Sequence, residues 1–229
     1  MLLRKYLSLF LLGVFGIALF TACSDDETPV SPVVEKSQVK VVHASPDAPG
    51  VDLLLDNAKS GTNLTFPNNT GYLSVNSGTR NVKVNVTGTS TTVIQADLPF
   101  AANKNYSIFA VNKVASLEPL VLEEDLRAPA NGKSHVRFIH LSPDAPAVDI
   151  TLTNGTVLFN NYTFKRASSF TPLDAGTYNL QVRLAGTSTV VLNLPGITLS
   201  NGKIYTVFAK GLVNGTGGQA LGAQIIVNN

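Results

Sequence analysis

The chain has 229 residues, of which 44% are hydrophobic and only 14% charged, with one cysteine and no tryptophan. That length makes one large domain or two of about 100 residues each, and charge this sparse excludes a disordered, charge-rich polymer. A formal charge of +2 offers no basic surface for nucleic acid, and a lone cysteine excludes an internal disulfide.

Arg4 and Lys5 precede an apolar run over 7–20 that is short for a membrane-spanning helix. A positive start, an apolar middle and small residues before a cut describe a signal peptide over 1–22. The cut falls in Leu19-Phe20-Thr21-Ala22-Cys23, which resembles a bacterial lipobox with Phe20 where leucine is usual. The resemblance implies a lipid on Cys23, which becomes the mature N-terminus. Ser24-Asp25-Asp26-Glu27 is similar to the signal that sends Bacteroidetes lipoproteins to the outer face of the outer membrane; a solvated acidic spacer is the plain alternative. Residues 23–37, with Pro29 and Pro32 and no apolar period, read as a flexible tether.

From Gln38 the pattern becomes β. Val39, Val41 and His43 alternate with Lys40, Val42 and Ala44 up to Ser45-Pro46. After a Pro-Asp-Ala-Pro corner, Val51, Leu53 and Leu55 alternate with Asp52, Leu54 and Asp56, and 57–61 reads as the next turn. Short strands follow near Leu64 and Tyr72. Val82, Val84 and Val86 form one face of the clearest strand, and Gly88-Thr89-Ser90 marks a hairpin. Strands over 91–97, 106–111 and 117–122 complete the first half.

The second half repeats this order. His43-Ala44-Ser45-Pro46-Asp47-Ala48-Pro49-Gly50-Val51-Asp52 returns 97 residues later as His140-Leu141-Ser142-Pro143-Asp144-Ala145-Pro146-Ala147-Val148-Asp149. Leu180, Val182 and Leu184 match the valine face, Gly186-Thr187-Ser188-Thr189 matches the hairpin, and Tyr205-Thr206-Val207-Phe208-Ala209 matches Tyr106-Ser107-Ile108-Phe109-Ala110. A period this long suits a duplicated domain better than a solenoid or a propeller blade. About eight short strands per half predict an all-β chain of two tandem immunoglobulin-like antiparallel β-sandwich domains, over 38–127 and 135–229, joined by a linker at 128–134.

The stretch Val136-Arg137-Phe138-Ile139-His140-Leu141-Ser142-Pro143-Asp144-Ala145-Pro146-Ala147-Val148-Asp149, with the later Ala-Gly-Thr strand, Gly-Thr-Ser-Thr turn and Tyr-Thr-Val-Phe-Ala strand, resembles the bacterial family of domain of unknown function 4397. The resemblance covers nearly all of 38–229, twice; the first copy departs at Val41-Val42 and Gly50. It implies a secreted or cell-surface sandwich and no activity, so it supplies no catalytic residue.

Each copy of the motif holds one histidine and two aspartates: His43, Asp47 and Asp52, then His140, Asp144 and Asp149. A metal site or an acid–base pair is one reading. The other is structural: each histidine shares a face with core valines, Ser45 and Ser142 open Ser-Pro-Asp corners whose aspartates cap local amides, and Asp52 and Asp149 sit on a solvent face. The structural reading is preferred. Tyr72, Tyr162, Phe164 and Phe170 are candidates for a sugar-stacking platform, or for packing. Tyr106 and Tyr205 each open a strand after Leu-Pro and a turn, a layout similar to the tyrosine corner of immunoglobulin-like sandwiches, with partners expected within 100–104 and 197–202.

The sequence therefore predicts no enzyme, no metal and no cofactor. It predicts a membrane-anchored outer-membrane surface protein whose sandwiches bind, adhere or space, with a glycan or protein partner. A metal-dependent or hydrolytic enzyme built on the His/Asp motif is the alternative.

Overall fold

The computed structural model describes residues 34–229, which form one compact unit. The signal peptide, Cys23, Ser24-Glu27 and the first part of the tether lie outside the described residues. The first half holds β1 (Lys36–His43), β2 (Val51–Leu55), β3 (Ala58–Leu64), β4 (Asn69–Asn76), β5 (Gly78–Val86), β6 (Thr92–Phe100), β7 (Asn105–Val111) and β8 (Glu118–Glu124). The second holds β9 (Lys133–His140), β10 (Val148–Leu152), β11 (Val157–Tyr162), β12 (Thr171–Asp174), β13 (Gly176–Leu184), β14 (Val190–Leu199), β15 (Ile204–Lys210) and β16 (Gly222–Val227). The connection between them runs over 125–132.

Each half is a two-sheet sandwich. In the first, β4-β1-β7-β8 faces β3-β2-β5-β6; in the second, β12-β9-β15-β16 faces β11-β10-β13-β14. Pairing is antiparallel except for one parallel pair in each half, β1 with β7 and β9 with β15. The parallel pair arises because the opening strand docks beside a strand that the chain reaches only after crossing the other sheet. The turn expected over 57–61 is tighter: Asp56 and Asn57 alone make it, both at positive φ (49° and 65°), as a two-residue hairpin requires.

The alternation read from the sequence fills the two cores. Val39, Val41, Leu53, Val82, Val84, Phe100 and Ile108 close the first; Val136, Phe138, Ile150, Phe159, Tyr162, Val182 and Val207 close the second. A third core lies between the sandwiches. Val42, Ala44, Phe109 and Val111 pack against Ile139, Leu141, Phe208 and Ile226, and all but Ile226 (5%) have no accessible surface. Phe109 and Phe208, equivalent residues of the two copies, meet edge to face at 6.1 Å and 76°.

The sheets β4-β1-β7-β8 and β12-β9-β15-β16 are thus inner layers covered on both faces, and the described residues form a stack of four sheets. The two copies use the same patch, as in an isologous contact of a two-fold dimer.

The middle of this face is polar. The side chain three residues before the end of each opening strand crosses to the end of the opposite sandwich's last strand or the residue just after it: Lys40 Nζ donates to Asn228 Oδ1 at 2.9 Å, and Arg137 pairs with Glu124. Lys40, Arg137, Glu124, Asn228 and Thr206 are all 5% exposed or less. More exposed ion pairs rim the face, Lys113 with Asp144 (3.3 Å) and Lys165 with Glu118 (3.0 Å).

Candidate functional site

The repeated motif lies at the end of each opening strand, where the chain leaves an inner sheet for an outer one. Strand alternation turns His43 and His140 inward, and both are buried, at 1% and 0% exposure. Each Nε2–H donates to a backbone carbonyl six residues on, Pro49 or Pro146, at 3.0 Å. A carbonyl can only accept, so the bond fixes the tautomer. Nδ1 is left buried without a partner among the described residues. Burial pushes both imidazoles below their ordinary value, against the carbonyl bond that favours the charged form.

The first aspartates do not cap their own turns as expected. Asp47 Oδ1 accepts from Val114 N–H at 2.8 Å and Asp144 Oδ1 from Val213 N–H at 3.0 Å. Both targets lie in the loop after the strand that neighbours the motif, so the aspartate ties the corner to a distant loop. Ser45 supports Asp47 at 3.4 Å, whereas Ser142 donates to the Gly211 carbonyl at 2.7 Å. The two serines thus serve different partners.

The second aspartates are not on a solvent face. Asp52 is 4% and Asp149 7% exposed, because the following hairpin folds over them. Asp52 accepts from Asn63 N–H (2.9 Å) and Gly88 N–H (3.5 Å) and pairs with Lys59 (2.8 Å). Asp149 accepts from Asn161 N–H (2.6 Å) and Gly186 N–H (2.9 Å). All four donors have positive φ, so the carboxylate stabilises two left-handed corners at once, one of them a glycine that tolerates the conformation without strain. Lys59 and these amides hold the Asp52 carboxyl down at about 2. At Gly50, where the second copy has Ala147, a Cβ would run into Asn63 Oδ1.

The histidine and aspartates therefore do not converge on one point. Each histidine spends Nε2 and each aspartate at least one carboxylate oxygen on a backbone group, and no group of three metal-ligating side chains occurs among the described residues. The aromatic platform is likewise dispersed. Tyr162 is in the second core against Phe138 and Phe159. Tyr72 lies under Lys40, Phe170 lies under Arg137, and Phe164 borders the third core. Tyr106 and Tyr205, 7% and 6% exposed, each accept from a backbone amide five residues upstream, Ala101 at 3.1 Å and Ser200 at 3.0 Å.

His140 and Ser142 also border a cavity of ≈ 50 Å³ in the second sandwich, walled by Val191, Leu192, Leu194 and Leu221. Its walls are mostly hydrocarbon, and His140 Nε2 and Ser142 Oγ are already bonded to backbone carbonyls.

The outer sheets keep a free face of amides and hydroxyls. Asn81–Asp97, Thr92–Asn85, Gln181–Asn193 and Thr177–Thr198 pair across neighbouring strands there. The features sequence reasoning missed are Lys40, Arg137, Glu124 and Asn228. Their one signal was a cation at the same place in both opening strands.

Comparison with known proteins gives the following. A family model described as "Domain of unknown function (DUF4397)" matches residues 37–151 and 151–229. The C-terminal domain of AlgF from P. aeruginosa is 21% identical with a TM-score of 0.32, over 42% of this chain and 98% of that one. A family 26 carbohydrate-binding module of Eubacterium rectale Amy13K, solved with maltoheptaose, is 10% identical with a TM-score of 0.29, over 82% and 96%. A search of curated proteins returned no match.

Proposed function

From the premise that the chain belongs, in both halves, to the family described as Domain of unknown function (DUF4397), we propose a lipid-anchored cell-surface module that works without catalysis. Cys23 carries the lipid, the acidic tether directs the protein outward, and the tandem sandwiches stand off the membrane as one stiff body. The observation that carries the reading is the third core, which joins the copies through matched apolar and charged side chains. The motif histidines through Nε2 and the motif aspartates through their carboxylates are bonded to backbone in both copies, which supports a structural role for them. With the inner sheets committed to each other, a glycan or protein partner has the polar outer sheets and the loops for docking.

The test uses the full chain in a bacterium that sorts surface lipoproteins. Wild type incorporates labelled palmitate, partitions into detergent and is cut by protease added to intact cells. Cys23→Ala loses all three. Palmitate incorporation in Cys23→Ala, or a protease-resistant wild type, overturns the anchor reading.

A further inference from the structure

The third core holds a charge that its own symmetry does not balance. Two equivalent positions present cations to the opposite sandwich. Arg137 meets a carboxylate, Glu124, whereas Lys40 meets a neutral amide, Asn228. The cluster thus contains two cations and one anion. Glu124 acts on Lys40 through the field, but no ion pair joins them. Tyr72 adds only its ring face, 4.1 Å from the ammonium. A buried ammonium without its own counter-ion is among the costliest arrangements in a protein interior.

The same residues are arranged for a reaction that removes the charge. We propose that Lys40 and Asn228 form an intramolecular isopeptide cross-link, the lysine amine displacing ammonia from the asparagine side-chain amide.

The geometry supplies the reacting pair and fixes its approach. Lys40 Nζ already touches Asn228 Oδ1 at 2.9 Å, so it has only to move from the oxygen to the carbon that bears it. The amide cannot turn away, because Nδ2 donates to Thr206 Oγ1 at 2.8 Å and Thr206 is in turn held by Arg137 Nε at 3.0 Å. Such fixed approach is where intramolecular reactions gain most. Burial, opposed by Glu124 and aided by Arg137, lowers the Lys40 amine to about 8, so a neutral, nucleophilic fraction exists near physiological pH. Glu124, whose Oε1 pairs with Arg137, leaves Oε2 buried with no hydrogen-bond partner among the described residues, and as the carboxylate of the cluster it is the group assigned to carry the proton. Lys40, Glu124 and Asn228 are all 5% exposed or less, which limits the access of water, the competing nucleophile.

In the step, neutral Nζ attacks Cγ. The Cγ–Oδ1 double bond opens, leaving negative charge on the oxygen and positive charge on Nζ. Glu124 takes the proton from Nζ and delivers it to Nδ2. The carbonyl re-forms, the Cγ–Nδ2 bond breaks, and ammonia departs. One amine and one primary amide become one secondary amide and ammonia, with no oxidant and no cofactor. The product ties β1 to the residue after β16 across the third core, closing almost the whole described chain. It would bypass the rest of the fold when the two ends are pulled. The inference does not depend on the lipid anchor.

The test is peptide mapping of the purified full chain after incubation at pH 8–9. Trypsin should fail to cut at Lys40 and should release a branched species joining 37–59 to 211–229, lighter than the two peptides together by one ammonia. Asn228→Ala and Lys40→Arg should each give only linear peptides, and Glu124→Gln should cross-link far more slowly. Full recovery of linear wild-type peptides cut after Lys40 would overturn the cross-link, as would conversion of Asn228 to aspartate without branching. Wild-type cross-linking in Glu124→Gln would overturn the assigned proton carrier.

Discussion

Phe208→Ala should reveal how firmly the two sandwiches are joined. The side chain projects from the face of β15 that points away from its own core, toward Phe109 of the other sandwich. If the sandwiches moved independently this would be a surface position, and truncation would cost no more than about 0.5 kcal/mol. In the structure the ring has no exposed surface. Removing about 150–250 Å² of apolar burial sets an upper limit of about 4–6 kcal/mol, and buried Phe→Ala changes cost about 3–5 kcal/mol. The expected loss is therefore about 3–5 kcal/mol, with Phe109→Ala similar. Because the rings touch, the double variant should lose less than both together, by about 0.5–1.5 kcal/mol. Urea unfolding followed by tyrosine fluorescence and far-ultraviolet dichroism measures this, since the chain has no tryptophan. A cost under 1 kcal/mol for either single variant, or strict additivity, would refute the shared core.

Two further outcomes follow from the site. Tyr106→Phe and Tyr205→Phe keep the ring but strand the amides of Ala101 and Ser200, for an expected loss of about 1–3 kcal/mol each by chemical denaturation; wild-type stability would mean the amides find other partners. Both motif histidines have folded values below the ordinary 6.5. As pH falls below 6.5 the unfolded chain binds protons that the folded chain resists, so stability should drop on that side and be flat above it. The His43→Gln/His140→Gln variant should lose most of that slope in melting temperature between pH 7.5 and 5.5; an unchanged slope would place the effect elsewhere.

Much of the fold was legible because it follows from local alternation. Val82, Val84 and Val86 can face only one core, and the 97-residue repeat doubles every such inference. The errors share a cause. Alternation distinguishes two faces of a strand and says nothing about what covers the second. Lys40 and Arg137 stand on the faces of their strands that alternate away from their own cores, and each is buried by a sheet from the other copy. Asp52 and Asp149 follow the same rule and are covered instead by the hairpin that starts a few residues later. Asp47 was read as a local cap because Ser-Pro-Asp is a turn former, but its partner is Val114, 67 residues away. The chemistry of the third core, where Lys40 meets Asn228 across 188 residues, depends on how the two copies dock, which neither copy's sequence states.

The union of the two sandwiches into one body is tested most directly by small-angle X-ray scattering from residues 34–229 in dilute solution. A single compact body of about 200 residues has a radius of gyration of about 16 Å, and the curve should fit the four-sheet stack without adjustment. Two bodies of about 13 Å each on a free connection, with centres about 35 Å apart, would give a value above about 20 Å. A radius in that upper range would contradict the shared core and the stiff module built on it.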